Sequence, residues 1–346
     1  MTPDEPRDDY LWDGSGEPDP DVVRLEGLLQ RYRHRGDLPS LPPRAPQRRF
    51  AVHAAMQILV TAASLMLVAA AAFFANAVRQ AGWTVQSLAG APVIAGSAID
   101  GPARLPIGET ITTDASSRAR VDVGSIGVVD IEPNSRVRLM ASRLGEHRLA
   151  LDRGQIRALI WAPPRLFFVN TPSSTAIDLG CAYTLTVDDR GWGHIVVESG
   201  WVAFQYDGRE SFIPQNAMCA TRPGVGPGTP CYTDAAAGMA EALTILDFSP
   251  TTDVSRSRAL DTVLTLSRPK DALTLWHLLS RVPPAERERV YDRLASLVPP
   301  PKGVTRDAVL QGDQRALDAW WNALGLDTAE WWRIWKQEWK KDEFKK

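Results

Sequence analysis

Residues that could carry out chemistry are few and scattered in this chain of 346 residues. The five histidines (34, 53, 147, 194 and 277) lie far apart, and no His-x-x-x-His, Cys-x-x-Cys or Gly-x-Ser-x-Gly motif occurs. A catalytic triad can also be assembled by the fold from distant positions, but nothing in the sequence indicates one. We therefore expect no enzymatic activity, no catalytic residue, no cofactor and no metal site.

The three cysteines can form one disulfide at most. Cys181 and Cys219 fall in a strand-rich part of the sequence, whereas Cys231 follows in a turn-rich stretch. Disulfides persist outside the cytoplasm, so the prediction depends on where this part of the chain resides. Among the possible pairs we favour Cys181–Cys219, which would stabilise the fold by about 3–4 kcal/mol through the entropy of the closed loop.

Composition excludes several classes of protein. The 39 Lys and Arg residues balance 41 Asp and Glu residues, and the net charge of -2 excludes a basic nucleic-acid binder. With 44% hydrophobic and 23% charged residues, the chain can form buried cores and is not wholly disordered. The length allows about two domains.

One long segment has no charged side chain. Residues 50–78, 29 in number, contain no Asp, Glu, Lys or Arg, and a membrane-spanning helix needs about 20 apolar residues. Six arginines lie in the twenty residues before the segment, and only Arg79 lies in the twenty after it, which predicts a cytoplasmic N-terminus and a periplasmic C-terminal part. We expect a single-pass protein of the inner membrane. A cleaved signal peptide is the alternative, although its apolar region would be shorter and nearer the N-terminus.

Residues 1–49 form the predicted cytoplasmic segment. Asp19 and Pro20 are typical of a helix start. The apolar residues that follow recur at spacings of three and four, which predicts one stripe along an amphipathic helix: Val22, Leu25, Leu29 and Tyr32. So short a helix is marginal alone in water. Either the stripe binds a partner, or the segment is mostly disordered and only sets the membrane topology.

From residue 83 to about 220 the hydrophobic period changes to two. Ala119, Val121 and Val123 alternate with charged residues, and similar short runs recur about every ten residues. Turn residues separate these runs, for example Pro133-Asn134 and Arg153-Gly154. The pattern predicts an all-β domain of the sandwich or solenoid-like type.

The order of these strand motifs resembles the FecR-like domain family over roughly residues 80–220. The motifs that carry the resemblance are Gly108-Glu109-Thr110-Ile111-Thr112-Thr113-Asp114, Ser117-Arg118-Ala119-Arg120-Val121, Gly127-Val128-Val129-Asp130-Ile131, Pro133-Asn134-Ser135-Arg136-Val137, Arg153-Gly154-Gln155-Ile156, Phe168-Val169-Asn170-Thr171-Pro172, Thr175-Ala176-Ile177-Asp178-Leu179-Gly180 and Glu198-Ser199-Gly200-Trp201-Val202. The resemblance implies a bacterial cell-envelope signal transducer with a periplasmic β-domain. It also implies an anti-sigma factor role, with the cytoplasmic segment holding a sigma factor.

A turn-rich linker over residues 221–233 leads into a predicted helical region, 234–346. Apolar periodicity predicts helices near 234–246, 255–267, 270–281, 285–298, 313–323 and 327–341, joined by short loops as in a helical bundle. The last of them would place Trp331, Trp335 and Trp339 on one face. That stripe either packs against Trp320 and Trp321 or lies at a membrane interface.

The sequence supports two functional hypotheses. The first is a membrane-anchored FecR-like signal transducer that restrains a sigma factor through Val22, Leu25, Leu29 and Tyr32. The alternative is an envelope scaffold or ligand-binding protein whose β-domain binds a periplasmic protein or a glycan and which has no regulatory role. Neither hypothesis includes nucleic-acid binding.

Overall fold

The computed structural model describes residues 16–33, 63–70, 82–143, 145–250 and 254–326, together with Tyr10, Gly14 and Gly36. The chain divides into two compact units, Met1–Val68 and Ala69–Lys346. In the first unit, helix α1 (Pro20–Leu29) continues into a single 3-10 turn, Gln30–Tyr32. The predicted N-terminal helix and its start at Asp19 are therefore confirmed.

The predicted transmembrane helix is corrected by the structure. Of residues 50–78, only 63–70 are described, and they form a helical stretch of eight residues. No helix within the described ranges is both long enough and apolar enough to cross a membrane. The fold class with one membrane-spanning helix, and the inner-membrane location inferred from it, are thus wrong.

The second unit begins with a β-rich part, residues 82–232. Its strands follow the alternation expected from the sequence, since Ala119, Val121 and Val123 are all fully buried. Within the described residues the strands are β1 (Gly82–Ala89), β2 (Val93–Ile94), β3 (Ser97–Ala98), β4 (Ala103–Pro106), β5 (Thr110–Thr112), β6 (Arg118–Val123), β7 (Gly127–Ile131), β8 (Arg136–Arg143), β9 (Glu146–Ile160), β10 (Phe167–Asn170), β11 (Thr175–Asp178), β12 (Ala182–Val187), β13 (Gly193–Ser199), β14 (Trp201–Tyr206), β15 (Arg209–Pro214), β16 (Ala217–Arg222), β17 (Gly226–Pro227) and β18 (Cys231–Tyr232).

These strands form two mainly antiparallel sheets that share one strand. Sheet A runs β4-β1-β6-β7-β9-β12-β13-β16, with β17 and β18 paired to β16. Sheet B runs β3-β2-β5-β8-β9-β10-β11-β14-β15, and its β9–β10 pair is parallel. The predicted linker over 221–233 therefore contributes the end of β16 and the short strands β17 and β18 to sheet A.

Strand β9 belongs to both sheets because it bends at Gly154. Its first half pairs with β8 and β10, and its second half pairs with β7 and β12. Gly154 has φ +91°, and a Cβ at this position would overlap the backbone and side chain of Ser135. Arg153-Gly154 is thus a sharp bend within one long strand, whereas the sequence alone predicted a turn between two strands.

Six helices follow in the described part of the second unit. They are α2 (Met239–Phe248), α3 (Ser255–Leu266), α4 (Ala272–Leu279), α5 (Pro284–Leu297), α6 (Arg306–Leu310) and α7 (Gln314–Ala323). They match the predicted helices except for α6, which the sequence analysis missed. The predicted helix 327–341, with Trp331, Trp335 and Trp339, lies outside the described residues.

The β-rich and helical parts each have a hydrophobic core, and the two cores are in contact. The inner faces of sheets A and B form the first core, and the helices form the second together with Cys231. Trp276 of α4 and Leu324, just after α7, pack against both. The helices therefore stabilise one side of the β-rich part rather than standing apart from it.

Candidate functional site

Helix α1 is built as its sequence predicts. The Asp19 carboxylate accepts a hydrogen bond from the Asp21 N–H at 2.8 Å, and Pro20 fills the first helical position. A side-chain oxygen at this position satisfies one of the N–H groups that a helix start leaves unpaired. The phenol of Tyr10 donates a hydrogen bond to Glu26 at 3.1 Å and so ties the preceding chain to the helix.

The structure places the four predicted partner-binding residues along one side of α1 and its 3-10 extension. Val22 is half-buried, whereas Leu25, Leu29 and Tyr32 are 56%, 59% and 74% exposed. Leu28, which lies beside them, is exposed as well. No residue of the helix is buried. A continuous apolar stripe in contact with water is the feature expected of an amphipathic helix that docks into a groove of another protein.

A second candidate site is the polar junction between the β-rich part and the helices, which we call the Arg281 network. Arg281 follows α4 and donates to Thr229 Oγ1 at 2.9 Å, to the Glu210 carbonyl at 2.7 Å and to Ser211 Oγ at 2.7 Å. Asp247 of α2 lies 3.9 Å from Arg281. Because the guanidinium is buried, the pKa of Arg281 falls to about 10, while the Asp247 carboxylate acts in the opposite direction.

Asp247 connects the Arg281 network to the rest of the junction. It accepts from the Thr229 N–H at 2.6 Å and pairs with Arg209 at 2.8 Å. The network thus joins β15, the segment between β17 and β18, α2 and the end of α4. Buried charges are tolerated when they are paired and hydrogen-bonded, and Arg281 and Asp247 meet that condition. Arg209 meets it in part, because its Nη2 pairs with Asp247 whereas its buried Nε has no partner among the described residues. We interpret the network as the polar part of the contact between the two cores.

His277 of α4 lies beside this network and completes the contact. Its Nδ1 lies 2.9 Å from the Leu273 carbonyl, and its Nε2 accepts from the Phe212 N–H of β15 at 3.2 Å. That pattern requires a neutral ring with the proton on Nδ1. Burial lowers the pKa of His277 to about 3, and the charge of Arg281 acts in the same direction. His277 is therefore a structural bridge and not a titrating base at neutral pH.

The cysteines are free thiols, so the predicted Cys181–Cys219 disulfide is not formed in this structure. The sheet register gives the reason. Cys219 faces Ile195, which faces Leu185, four residues beyond Cys181. Two strand spacings and four residues along a strand place the Cα atoms about 16 Å apart, far beyond the 7 Å that a disulfide tolerates. Burial also raises the pKa of Cys219 to about 12, so this thiol is unreactive at neutral pH.

A small cavity lies between α2 and sheet A. Its volume is about 80 Å³, and its polar lining includes His194, Thr229, Thr244 and Asp247. Small-molecule sites usually measure about 300–1,000 Å³, so the cavity is too small for a typical metabolite. Across the described ranges, no three His, Cys, Asp or Glu side chains are arranged to hold a metal ion.

Known proteins give only weak matches to this chain. No protein-family model matches the chain, and no curated protein matches it either. Two crystal structures of a "putative anti-sigma factor" from Parabacteroides distasonis ATCC 8503, at 1.65 and 2.50 Å resolution, are similar at 14% and 13% identity, each with a TM-score of 0.32. The matches cover 38% and 44% of this chain and 63% and 73% of the other chains. The chain thus spans less than two thirds of the first structure, and a likeness this weak carries no conclusion about fold or partner.

Proposed function

We propose that the chain is an anti-sigma-type regulator that binds a sigma factor through the apolar stripe of α1. The observation that carries the proposal is the exposure of Leu25, Leu29 and Tyr32 on a well-capped helix. A helix of ten residues gains little stability from its own hydrogen bonds. Its apolar side chains gain free energy only when another surface covers them.

The choice of a sigma factor as the partner rests on the FecR-like strand motifs, and it is the partner class that the description of the P. distasonis protein names. The buried Arg281 network and His277 support a complementary role for the second unit. In this proposal the second unit, a β-rich body with helices packed on one side, receives the signal, whereas α1 carries the output. No catalytic or cofactor chemistry is part of this proposal.

The test uses the full chain and each purified sigma factor of the organism that encodes it. Replacing Leu25 and Leu29 together by Asp removes two apolar contacts and introduces two charges. Each lost contact is worth about 1.5–3 kcal/mol, so the dissociation constant should rise roughly a hundredfold or more. Isothermal titration calorimetry measures this change directly.

The matched control introduces the same two charges on the opposite side of α1, by Gly27→Asp and Gln30→Asp. A Cβ at Gly27 meets no atom within 4 Å, so the helix accommodates the change. This variant should bind as the original chain does. If the sigma factor does not bind, or binds both variants equally well, the regulator proposal fails. The alternative, a scaffold or ligand-binding protein without a regulatory role, then takes its place.

A further inference from the structure

The second unit contains a buried acid that nothing described above uses. Asp178 is the last residue of β11, is 2% exposed and points into the core between the sheets. Its Oδ1 accepts from the Gly180 N–H and its Oδ2 from the Cys181 thiol, both at 2.7 Å. Across the described ranges it forms no ion pair. A carboxyl in such a site is easier to keep protonated than ionised.

The groups that surround Asp178 do not compensate a negative charge. The Cys181 thiol, just before β12, donates to it, and the phenol of Tyr183 on β12 lies within electrostatic range of it. In the described part of the chain the buried Tyr183 hydroxyl has no hydrogen-bond partner. Val202 lies opposite on β14, and the Arg165 N–H donates to the Asp178 carbonyl. Burial raises the pKa of Asp178 to about 7, although the hydrogen bonds from Cys181 and Gly180 act against this. The pKa of Cys181 is also raised well above its usual value, so the thiol stays protonated.

Asp178 lies where the chain passes between the two sheets. Between β11 and β12 the chain crosses from sheet B to sheet A, and between β13 and β14 it crosses back. The two crossings touch, because a Cβ at Gly200 would overlap the Gly180 carbonyl. The Leu179 N–H also donates to the Trp201 carbonyl at 3.2 Å. Trp201 in turn contacts Trp321 of α7, with ring centroids 6.2 Å apart.

We propose that Asp178 is a proton-operated switch at this double crossing. With the carboxyl protonated, the two crossings stay in contact through Gly180, Gly200 and the Leu179–Trp201 hydrogen bond, and Trp201 stays packed against α7. Loss of the proton places an unpaired charge in the core, loosens residues 178–181 and 199–202, and weakens the contact between the sheets and α7. The switch lies in the second unit and goes beyond the binding role proposed for α1. A failure of either proposal therefore leaves the other unaffected.

The direction of the pH effect follows from linkage. In the folded chain Asp178 holds its proton up to about pH 7, whereas in the unfolded chain it loses the proton near pH 4. The stabilising effect is therefore complete below pH 4 and is lost as pH rises to about 7. The unfolding equilibrium constant should increase roughly tenfold per pH unit over much of that range and level off above it.

The experiment compares urea unfolding of the full chain and of Asp178→Asn between pH 5 and pH 8. The unfolding equilibrium constant of the unmodified chain divided by that of Asp178→Asn should rise roughly tenfold from pH 5 to 6 and become flat above about pH 7. The matched control is Asp188→Asn, because Asp188 also accepts backbone N–H bonds in a turn, from Arg190 and Trp192, but is exposed. Its ratio should not change over this range. A flat ratio for Asp178→Asn would overturn the proposal.

Two measurements on the unmodified chain keep the test decisive even if the variant folds poorly. Carbon-13 NMR of the Asp178 carboxyl should give a titration midpoint near pH 7, and a midpoint near 4 would refute the switch. Hydrogen exchange, corrected for the intrinsic effect of pH, should show weaker protection of 178–181 and 199–202 at pH 8 than at pH 5. Equal protection at both pH values would show that ionisation does not open the crossing.

Discussion

Helices α1 and α7 are two versions of the same local design with opposite surroundings. Each has ten residues, and each begins at an aspartate whose side chain accepts a backbone N–H, Asp19 in α1 and Asp313 in α7. In α7 the apolar face is covered, and Trp320 and Trp321 are fully buried. In α1 no residue is buried. Local sequence encodes the helix and its stripe, whereas only the tertiary context decides whether the stripe is a core or a free surface.

The comparison predicts very different sensitivities to truncation. Trp321→Ala should lower the free energy of unfolding of the second unit by about 3–5 kcal/mol, since the ring is fully buried against Trp201, Phe212 and Trp276. Leu25→Ala with Leu29→Ala should change it by less than about 0.5 kcal/mol, because those side chains are exposed. Urea unfolding followed by circular dichroism distinguishes the two. Similar losses in both variants would show that α1 is packed after all.

Removing a carboxylate should destabilise the chain much more at a buried ion pair than at an exposed one. Asp247→Asn removes the carboxylate that faces Arg281 and Arg209, and leaving a buried cation uncompensated should cost about 3–5 kcal/mol. Asp261→Asn removes a solvent-exposed partner of Arg289 and should cost less than about 1 kcal/mol. Thermal unfolding of both variants is the measurement. A loss for Asp261→Asn as large as that for Asp247→Asn would contradict the importance of burial at the Arg281 network.

His277 should give the α4–β15 contact a pH dependence opposite to that of Asp178. Its pKa in the folded chain lies near 3, below the ordinary value of 6.5, so the unfolded chain takes up the proton first as pH falls. Stability is complete above about pH 6.5 and should fall by about 1.4 kcal/mol per pH unit below it. Comparison with His277→Gln isolates this slope from those of other groups. A difference between the two chains that stays constant from pH 6.5 to 4 would contradict the neutral, buried ring.

The smallest expected effects come from the two helix caps. Asp313→Ala should destabilise the second unit by about 1 kcal/mol, because it leaves the Ala316 N–H without its acceptor. Asp19→Ala should leave that unfolding transition unchanged and weaken binding of the sigma factor by a few-fold, since α1 must then be ordered at greater cost. Unfolding and titration of both variants give the result. A shifted unfolding transition for Asp19→Ala would remove the distinction between the helices.

Much of the architecture follows from short-range patterns. Alternation identifies β6 because its inward residues are all apolar, and Asp19-Pro20 places the start of α1 correctly. Gly154 was misread because a positive φ serves a turn and a bend within a strand equally well. The uncharged run over 50–78 predicted a span from length and hydropathy alone, whereas no helix in the described part of the chain is long and apolar enough to cross a membrane.

The buried polar groups lie beyond sequence reasoning for a different reason. Asp178 and Arg281 are of residue types that normally face solvent, so pattern analysis assigns them to the surface. Asp178 does stand between Ile177 and Leu179, and an acid within an apolar run is a signal that could have been noticed. The Arg281 network has no such signal, because its members come from four separate segments. The Cys181–Cys219 pairing failed similarly, since proximity depends on strand order and register.

The sharing of β9 has a consequence for how the second unit comes apart. Separating sheet A from sheet B requires breaking the hydrogen bonds of β9 with β7 and β12 or those with β8 and β10. Neither sheet can therefore unfold as an independent unit while the other keeps all the strand pairings of β9. The β-rich part should unfold in one cooperative transition, with the enthalpy from calorimetry equal to the van't Hoff enthalpy. The fifteen-residue strand β9, shared by both sheets, thus makes the two sheets one cooperative unfolding unit.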